Sequence, residues 1–202
     1  MRGLYAITDT KLTPYRGIVE FVKDALRGGA KYIQLRDKDL TDLEVYPYAL
    51  DLRHICHIFG AKFIMNDRVE LAKKVRADGI HVGRDDVDVA EIKKSFDGIV
   101  GVSCYGDLER AKEMEAKGAD YVAFGSFFTS PTKPNAAVVD KDVINRAKSE
   151  LKIPVCVIGG ITSENAKDLV DRGADMVSVI SDLWLAPQVE ARAFEYAKLF
   201  KE

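Results

Sequence analysis

The chain has 202 residues, enough for one domain that hides about 70–75% of the surface its unfolded form exposes. Thirty Lys and Arg stand against 32 Asp and Glu, a formal charge of -2, and 47% of the residues are hydrophobic. This balance excludes bulk-charge binding to nucleic acid or an anionic membrane, and no run approaches the ~20 apolar residues a membrane span needs. The opening MRGLYAITDT lacks a signal-peptide core. Cys56, Cys104 and Cys156 sit singly among apolar neighbours, so buried free thiols in a cytoplasmic setting are expected.

Along the chain, short β-rich runs alternate with stretches of helical periodicity. The strand candidates are Leu4 to Asp9, Tyr32 to Asp37, Lys62 to Asp67, Gly79 to Arg84, Ile99 to Cys104, Tyr121 to Ser126, Pro154 to Gly160 and Met176 to Ser181. Amphipathic segments between them include Arg16 to Arg27, Leu108 to Lys117 and Glu164 to Arg172. Gly28, Gly60, Gly118 and Gly173 stand where left-handed helix caps are expected, and three of these sites continue as GGAKY, KGADY and RGADM. Pro47 implies either that Thr41 to Tyr46 is a separate turn or that the second helix kinks. Eight units of roughly 25 residues predict a single-domain (β/α)8 barrel over 1–202. A doubly wound open sheet is the alternative, but it usually carries a Gly-rich loop after its first strand, which Asp9 to Pro14 lacks.

In a barrel, chemistry belongs at the C-terminal ends of the strands. After the second strand, Gln34, Arg36 and Lys38 share one face by the period of two, and an amide with two cations suits a polyphosphate. Leu35 and Asp37 then face the helices. The third strand ends at Asn66-Asp67 and the fourth runs into Asp85-Asp86; neighbouring strand ends ~4.8 Å apart can share one hard cation such as magnesium. Helix capping is the competing role for Asp67. The loop from Thr129 to Pro134 offers hydroxyls and Lys133, stiffened by Pro131 and Pro134. Gly159-Gly160 and Ile180-Ser181 close the seventh and eighth strands, where barrels often hold one phosphate. Two anion sites thus face each other across one mouth. His54, His57 and His81 read as structural, and no hydrolytic triad is visible.

These blocks, YAITD, QLRDKD, FIMNDRVELA, ADGIHVGRDD, GVS, ADYVAFG, SPTKP, PVCVIGGI and VIS, occur in order over essentially the whole chain, and together they resemble the thiamine phosphate synthase family. The resemblance implies a transferase that joins 4-amino-2-methyl-5-hydroxymethylpyrimidine diphosphate to a methylthiazole phosphate, with or without a ring carboxylate, and releases pyrophosphate with magnesium. It assigns Gln34, Leu35, Arg36, Asp37, Lys38, Asn66, Ser103 and Lys133 to the pyrimidine diphosphate. Ser130, Pro131, Thr132, Gly160, Ile180 and Ser181 would hold the thiazole phosphate, and Asp67 and Asp86 the Mg2+. Arg36, Lys38, Ser103 and Lys133 form the implied catalytic set. The implied chemistry is dissociative substitution, needing no protein nucleophile. Small molecules are the expected partners, with no nucleic acid or membrane, and a homo-oligomer is compatible with this reading.

Four positions depart from the family's pattern. Ser130 replaces a Thr, Arg84 replaces a Gln, Tyr105 replaces a frequent His, and Asp182 follows Ser181 where Ala is usual. Asp182 is expected to point outward, since a carboxylate beside a bound phosphate weakens it. Related barrels with other roles are a thiazole tautomerase, a phosphate-sugar isomerase and a non-catalytic binding protein. The Thr-Lys loop and the paired acids favour the synthase.

Overall fold

The structure is a computed structural model that describes residues 1–129 and 137–201. Strands β1 (Gly3–Ile7), β2 (Tyr32–Leu35), β3 (Lys62–Asn66), β4 (Gly79–Val82), β5 (Ile99–Tyr105), β6 (Tyr121–Phe124), β7 (Val155–Val157) and β8 (Met176–Val179) pair in parallel in sequence order. Tyr5 pairs with Ser178 as well as with Tyr32, so β8 closes onto β1 and the sheet is a barrel, not an open layer. Among the described residues, seven helices cross between strands: α1 (Ile18–Arg27), α2 (Asp42–Ile58), α3 (Val69–Val75), α4 (Val89–Lys93), α5 (Leu108–Ala116), α6 (Asp142–Glu150) and α7 (Ala166–Asp171). After β8 come α8 (Ser181–Trp184) and α9 (Val189–Lys198).

Strands covered by helices outside and side chains inside are buried on both faces, as β2, β6 and β8 are along their whole length. Tyr5, Tyr32, Ile64, Tyr121, Cys156 and Met176 fill the barrel, while Leu4, Ile33, Phe63 and Val122 pack against the helix layer. Gly101 is required by this filling. A Cβ there would stand 1.9 Å from the Tyr121 ring, which lies across that strand.

The aspartate just before β4, β6 and β8 also has a mechanical role. Asp78, Asp120 and Asp175 each accept a bond from a backbone N–H at the start of the preceding strand: Phe63 at 2.9 Å, Val100 at 2.7 Å and Val155 at 2.8 Å. Each also pairs with a lysine, Lys62, Lys93 or Lys148. Sequence-adjacent strands are thereby clamped at the end of the barrel opposite the active mouth.

Several expectations change. Most strands end one to three residues early, so the polar residues after them belong to loops. Thr41 to Tyr46 is no separate turn: Thr41 and Glu44 form a capping box and α2 runs through Pro47. The bond that proline forgoes would reach the Leu43 carbonyl, on a residue 81% exposed and therefore open to solvent. Gly28 is right-handed (φ -70) and the left-handed residue is Gly29. A side chain at Gly28 would collide with Glu190 and Ala193, so its role is the close approach of α1 to α9. Asp67 caps nothing. The N-cap of α3 is Arg68, without a side-chain bond, and Asp67 itself is left-handed (φ 60).

Candidate active site at the barrel mouth

A cavity of about 670 Å³ opens at the C-terminal ends of the strands. Gln34, near the end of β2, lines it on one side, and Arg36 and Lys38, on the loop beyond the strand, do so too. Leu35 does not; it is buried in the layer between sheet and helices. Asp37 is also placed away from the cavity, in a brace beneath the loop. It accepts from the Tyr15 hydroxyl at 3.0 Å and from the N–H groups of Asp39 and Leu40 at 2.8 Å, and lies 3.7 Å from Arg68. Burial alone would raise its pKa, but these donors hold it below the usual carboxylate range. Arg68 extends the brace by donating to the carbonyls of Asp37 and Leu40.

Asp67 and Asp86 both line the cavity, whereas Asp85 does not. The two carboxyl groups lie within hydrogen-bonding reach of each other. Partial burial and then the facing Asp86 raise the pKa of Asp67, opposed by Lys38 at 3.3 Å. Asp86 is anchored by the Gly83 N–H at 2.6 Å. A carboxylate pair held so close is a donor set that a hard cation would relieve of its repulsion. Among the described residues no group of three or more His, Cys, Asp or Glu side chains gathers as a metal cage, so substrate oxygens and water would complete any such coordination.

Beneath these loops the barrel interior carries a continuous polar chain. Gln34 Nε2 donates to the Tyr5 hydroxyl at 2.8 Å, which lies 2.8 Å from the Tyr121 hydroxyl. Tyr121 in turn sits 2.8 Å from His81 Nδ1, and His81 Nε2 is 2.9 Å from Ser103 Oγ. Gln34, His81 and Ser103 also line the cavity. Burial pushes His81 down to about 4, against the pull of the Asp86 charge. The reading of His81 as merely structural therefore missed a cavity residue; its signal was the inward file Gly79, His81, Gly83, two glycines leaving room for one ring. Asn66 and Ser178 line the same cavity, each with a buried side-chain polar atom, Nδ2 and Oγ respectively, that lacks a partner among the described residues. Sequence reasoning missed Ser178, which the alternation Met176, Ser178 places inside the barrel.

On the opposite side Gly159, Gly160, Ile180 and Ser181 line the cavity. Gly160 is left-handed (φ 62), and a Cβ there would stand 2.4 Å from the Thr129 carbonyl. Asn165 shapes the same loop, donating to the Gly160 carbonyl at 3.1 Å and accepting from the Thr162 N–H at 2.9 Å. Asp182 borders the cavity, but its carboxylate is turned toward α9, where Arg192 (2.7 Å) and the Tyr196 hydroxyl (2.6 Å) hold it. Ser130, Pro131, Thr132 and Lys133 lie outside the described residues.

The thiamine monophosphate synthase family model matches residues 4–183. The chain belongs to that family. It is 44% identical over 203 residues to a thiamine-phosphate synthase of Acidithiobacillus ferrooxidans, covering 98% of this chain and 94% of that one. With the thiamine-phosphate synthase of Wolinella succinogenes it shares 42% identity over 195 residues, covering 95% and 90%. A solved structure, a thiamine phosphate pyrophosphorylase from Pyrococcus furiosus, superposes with a TM-score of 0.90 at 37% identity, covering 98% of this chain and 95% of that chain. A 3-hexulose-6-phosphate synthase at 16% identity and a TM-score of 0.71 shares the barrel fold.

Proposed function

We propose that this chain is a pyrophosphate-releasing transferase that joins hydroxymethylpyrimidine diphosphate to methylthiazole phosphate, giving thiamine phosphate in a cytoplasmic setting. The observation that carries the reading is the division of one cavity. Arg36, Lys38, Asp67 and Asp86 stand on the loops after β2, β3 and β4; Gly160, Ile180 and Ser181 stand on those after β7 and β8. Family membership agrees with it.

Asp67 and Asp86 are the residues that would hold Mg2+. Bound there, the ion would screen charge on the diphosphate oxygens and make them a better leaving group. Arg36 and Lys38 lie where charge accumulates as the C–O bond breaks, so they stabilise the transition state more than the ground state. Expelling diphosphate leaves a pyrimidine-methyl cation, which the thiazole nitrogen attacks. Gln34, Asn66 and Ser103 would orient the pyrimidine, and the protein contributes alignment and exclusion of water, without a nucleophile of its own. The Thr129 to Pro134 segment, with Lys133, completes the proposed set.

Incubation with both substrates and Mg2+ tests the reading. Thiamine phosphate, oxidised to its fluorescent product, and pyrophosphate should form in equal amounts. Saturable binding of both substrates without product would leave a binding protein.

A further inference from the structure

We infer that His81 is a positioning residue, held as its Nε2–H tautomer by a hydrogen-bonded chain from Gln34, and that it fixes the Ser103 hydroxyl as a donor into the cavity. The argument is one of proton counting. A Gln Nε2 can only donate, so the Tyr5 oxygen must accept. The single Tyr5 proton then serves Tyr121, 2.8 Å away, and the Tyr121 proton serves His81 Nδ1. That nitrogen is therefore bare, and the neutral ring carries its proton on Nε2, facing Ser103 Oγ. The Ser103 oxygen accepts this bond, and its own proton is left for the cavity that Ser103 lines.

Running the chain backward fails. An N–H at Nδ1 would turn the Tyr121 proton toward Tyr5, whose oxygen already accepts from Gln34. The Tyr5 proton would then be stranded in the fully buried interior. Five strands thus cooperate to set the direction of one hydroxyl. The substrate group it meets is a hydrogen-bond acceptor, since a hydroxyl pre-set as donor repels an N–H at the same point.

This inference deepens the proposed function and rests on it for the kinetic readout alone. Imidazole 15N spectra of the full chain, assigned through His81→Gln, should show the His81 Nε2–H tautomer, unchanged between about pH 5 and pH 8. An Nδ1–H tautomer would overturn the inference whether or not the chain makes product. In kinetics, Ser103→Ala and His81→Leu should each lower kcat by about 10²-fold, comparable with removing one preorganised donor. The double variant should be no worse than either single change, because both remove the same bond. His81→Gln keeps an acceptor oxygen and a donor nitrogen, and should recover about tenfold over His81→Leu. Effects of the two single changes that multiply in the double variant, or no recovery with Gln, would refute action through Ser103. A wild-type chain that makes no product would sink the synthase reading, while the tautomer would still decide this one.

Discussion

The Arg84 guanidinium lies over the Tyr105 ring, 4.9 Å from its centroid, so two positions that depart from the family's pattern touch each other. A shift of register between Ser103 and Tyr105 and a left-handed Tyr105 (φ 57) put its ring at the cavity mouth. The ring holds the Arg84 charge on the loop after β4, between the cavity-lining Gly83 and Asp86. Arg84→Gln or Tyr105→Leu should raise KM for the diphosphate substrate about two- to fivefold, the size of an exposed cation–π contact. The loss should shrink with added salt, and thiazole phosphate should bind as before. Steady-state kinetics at two ionic strengths check this, and an unchanged KM would remove Arg84 from the binding surface.

Turnover measured against magnesium concentration separates the acids. Asp67→Asn and Asp86→Asn each remove one charge of the facing pair at nearly constant shape and should lower turnover by about 10²–10³-fold, partly restored at high Mg2+. Asp85→Asn, outside the cavity, should change little. Full activity after EDTA, or a loss confined to Asp85→Asn, would refute the metal assignment.

The Asp182 carboxylate is balanced by Arg192 at 2.7 Å. Arg192→Met should leave a bare negative charge at the edge of the β7–β8 half and weaken thiazole phosphate binding about three- to tenfold, by repulsion in a partly screened medium. Isothermal titration of each substrate separately is the check, with diphosphate binding expected to stay constant.

Gly101→Ala should destabilise the fold by about 3 kcal/mol or more, because the new methyl group meets the Tyr121 ring in a closed core. Urea unfolding would register the change. Adding Tyr121→Phe should not rescue it, since the ring, not the hydroxyl alone, is the obstacle.

Burial lowers the His81 pKa from its usual 6.5 to about 4. The folded state therefore disfavours the protonated ring, and His81 supports stability in full above pH 6.5. That contribution falls away as the pH drops from 6.5 through about 4, where unfolding gains a proton. His81→Gln should flatten this part of the stability curve in urea titrations at successive pH values. A curve as steep as the parent's would assign the acid sensitivity to other groups.

Parallel strands covered on both sides read as short apolar runs, and the even spacing of eight such runs already specified a barrel in the chain itself. The inward side of Gln34 was legible for the same reason, since alternate residues of one strand share a face, whereas Arg36 and Lys38 reach the cavity from the loop after β2, beyond the reach of that period. Local period left Asp85 and Asp86 equal, and only the family resemblance preferred Asp86, the one of the two that lines the cavity.

What remained hidden depends on distances between strands far apart in sequence. The glycines flanking His81 on β4 set it apart from His54 and His57 on α2, but nothing local names the groups it meets. Pairing of β4 with β5 and of β5 with β6 brings His81 to Ser103 and Tyr121, and closure of β8 onto β1 brings Tyr5 across to Tyr121. The same holds for Asp182, whose partners Arg192 and Tyr196 reach it from α9. The amino-acid sequence by itself determined the repeating elements, the buried faces and the polar residues at each strand's end, because these follow from local period and composition. The tertiary structure alone decided which polar groups share a proton or a charge, because such sharing requires contact within about 3 Å, a distance no one-dimensional spacing encodes.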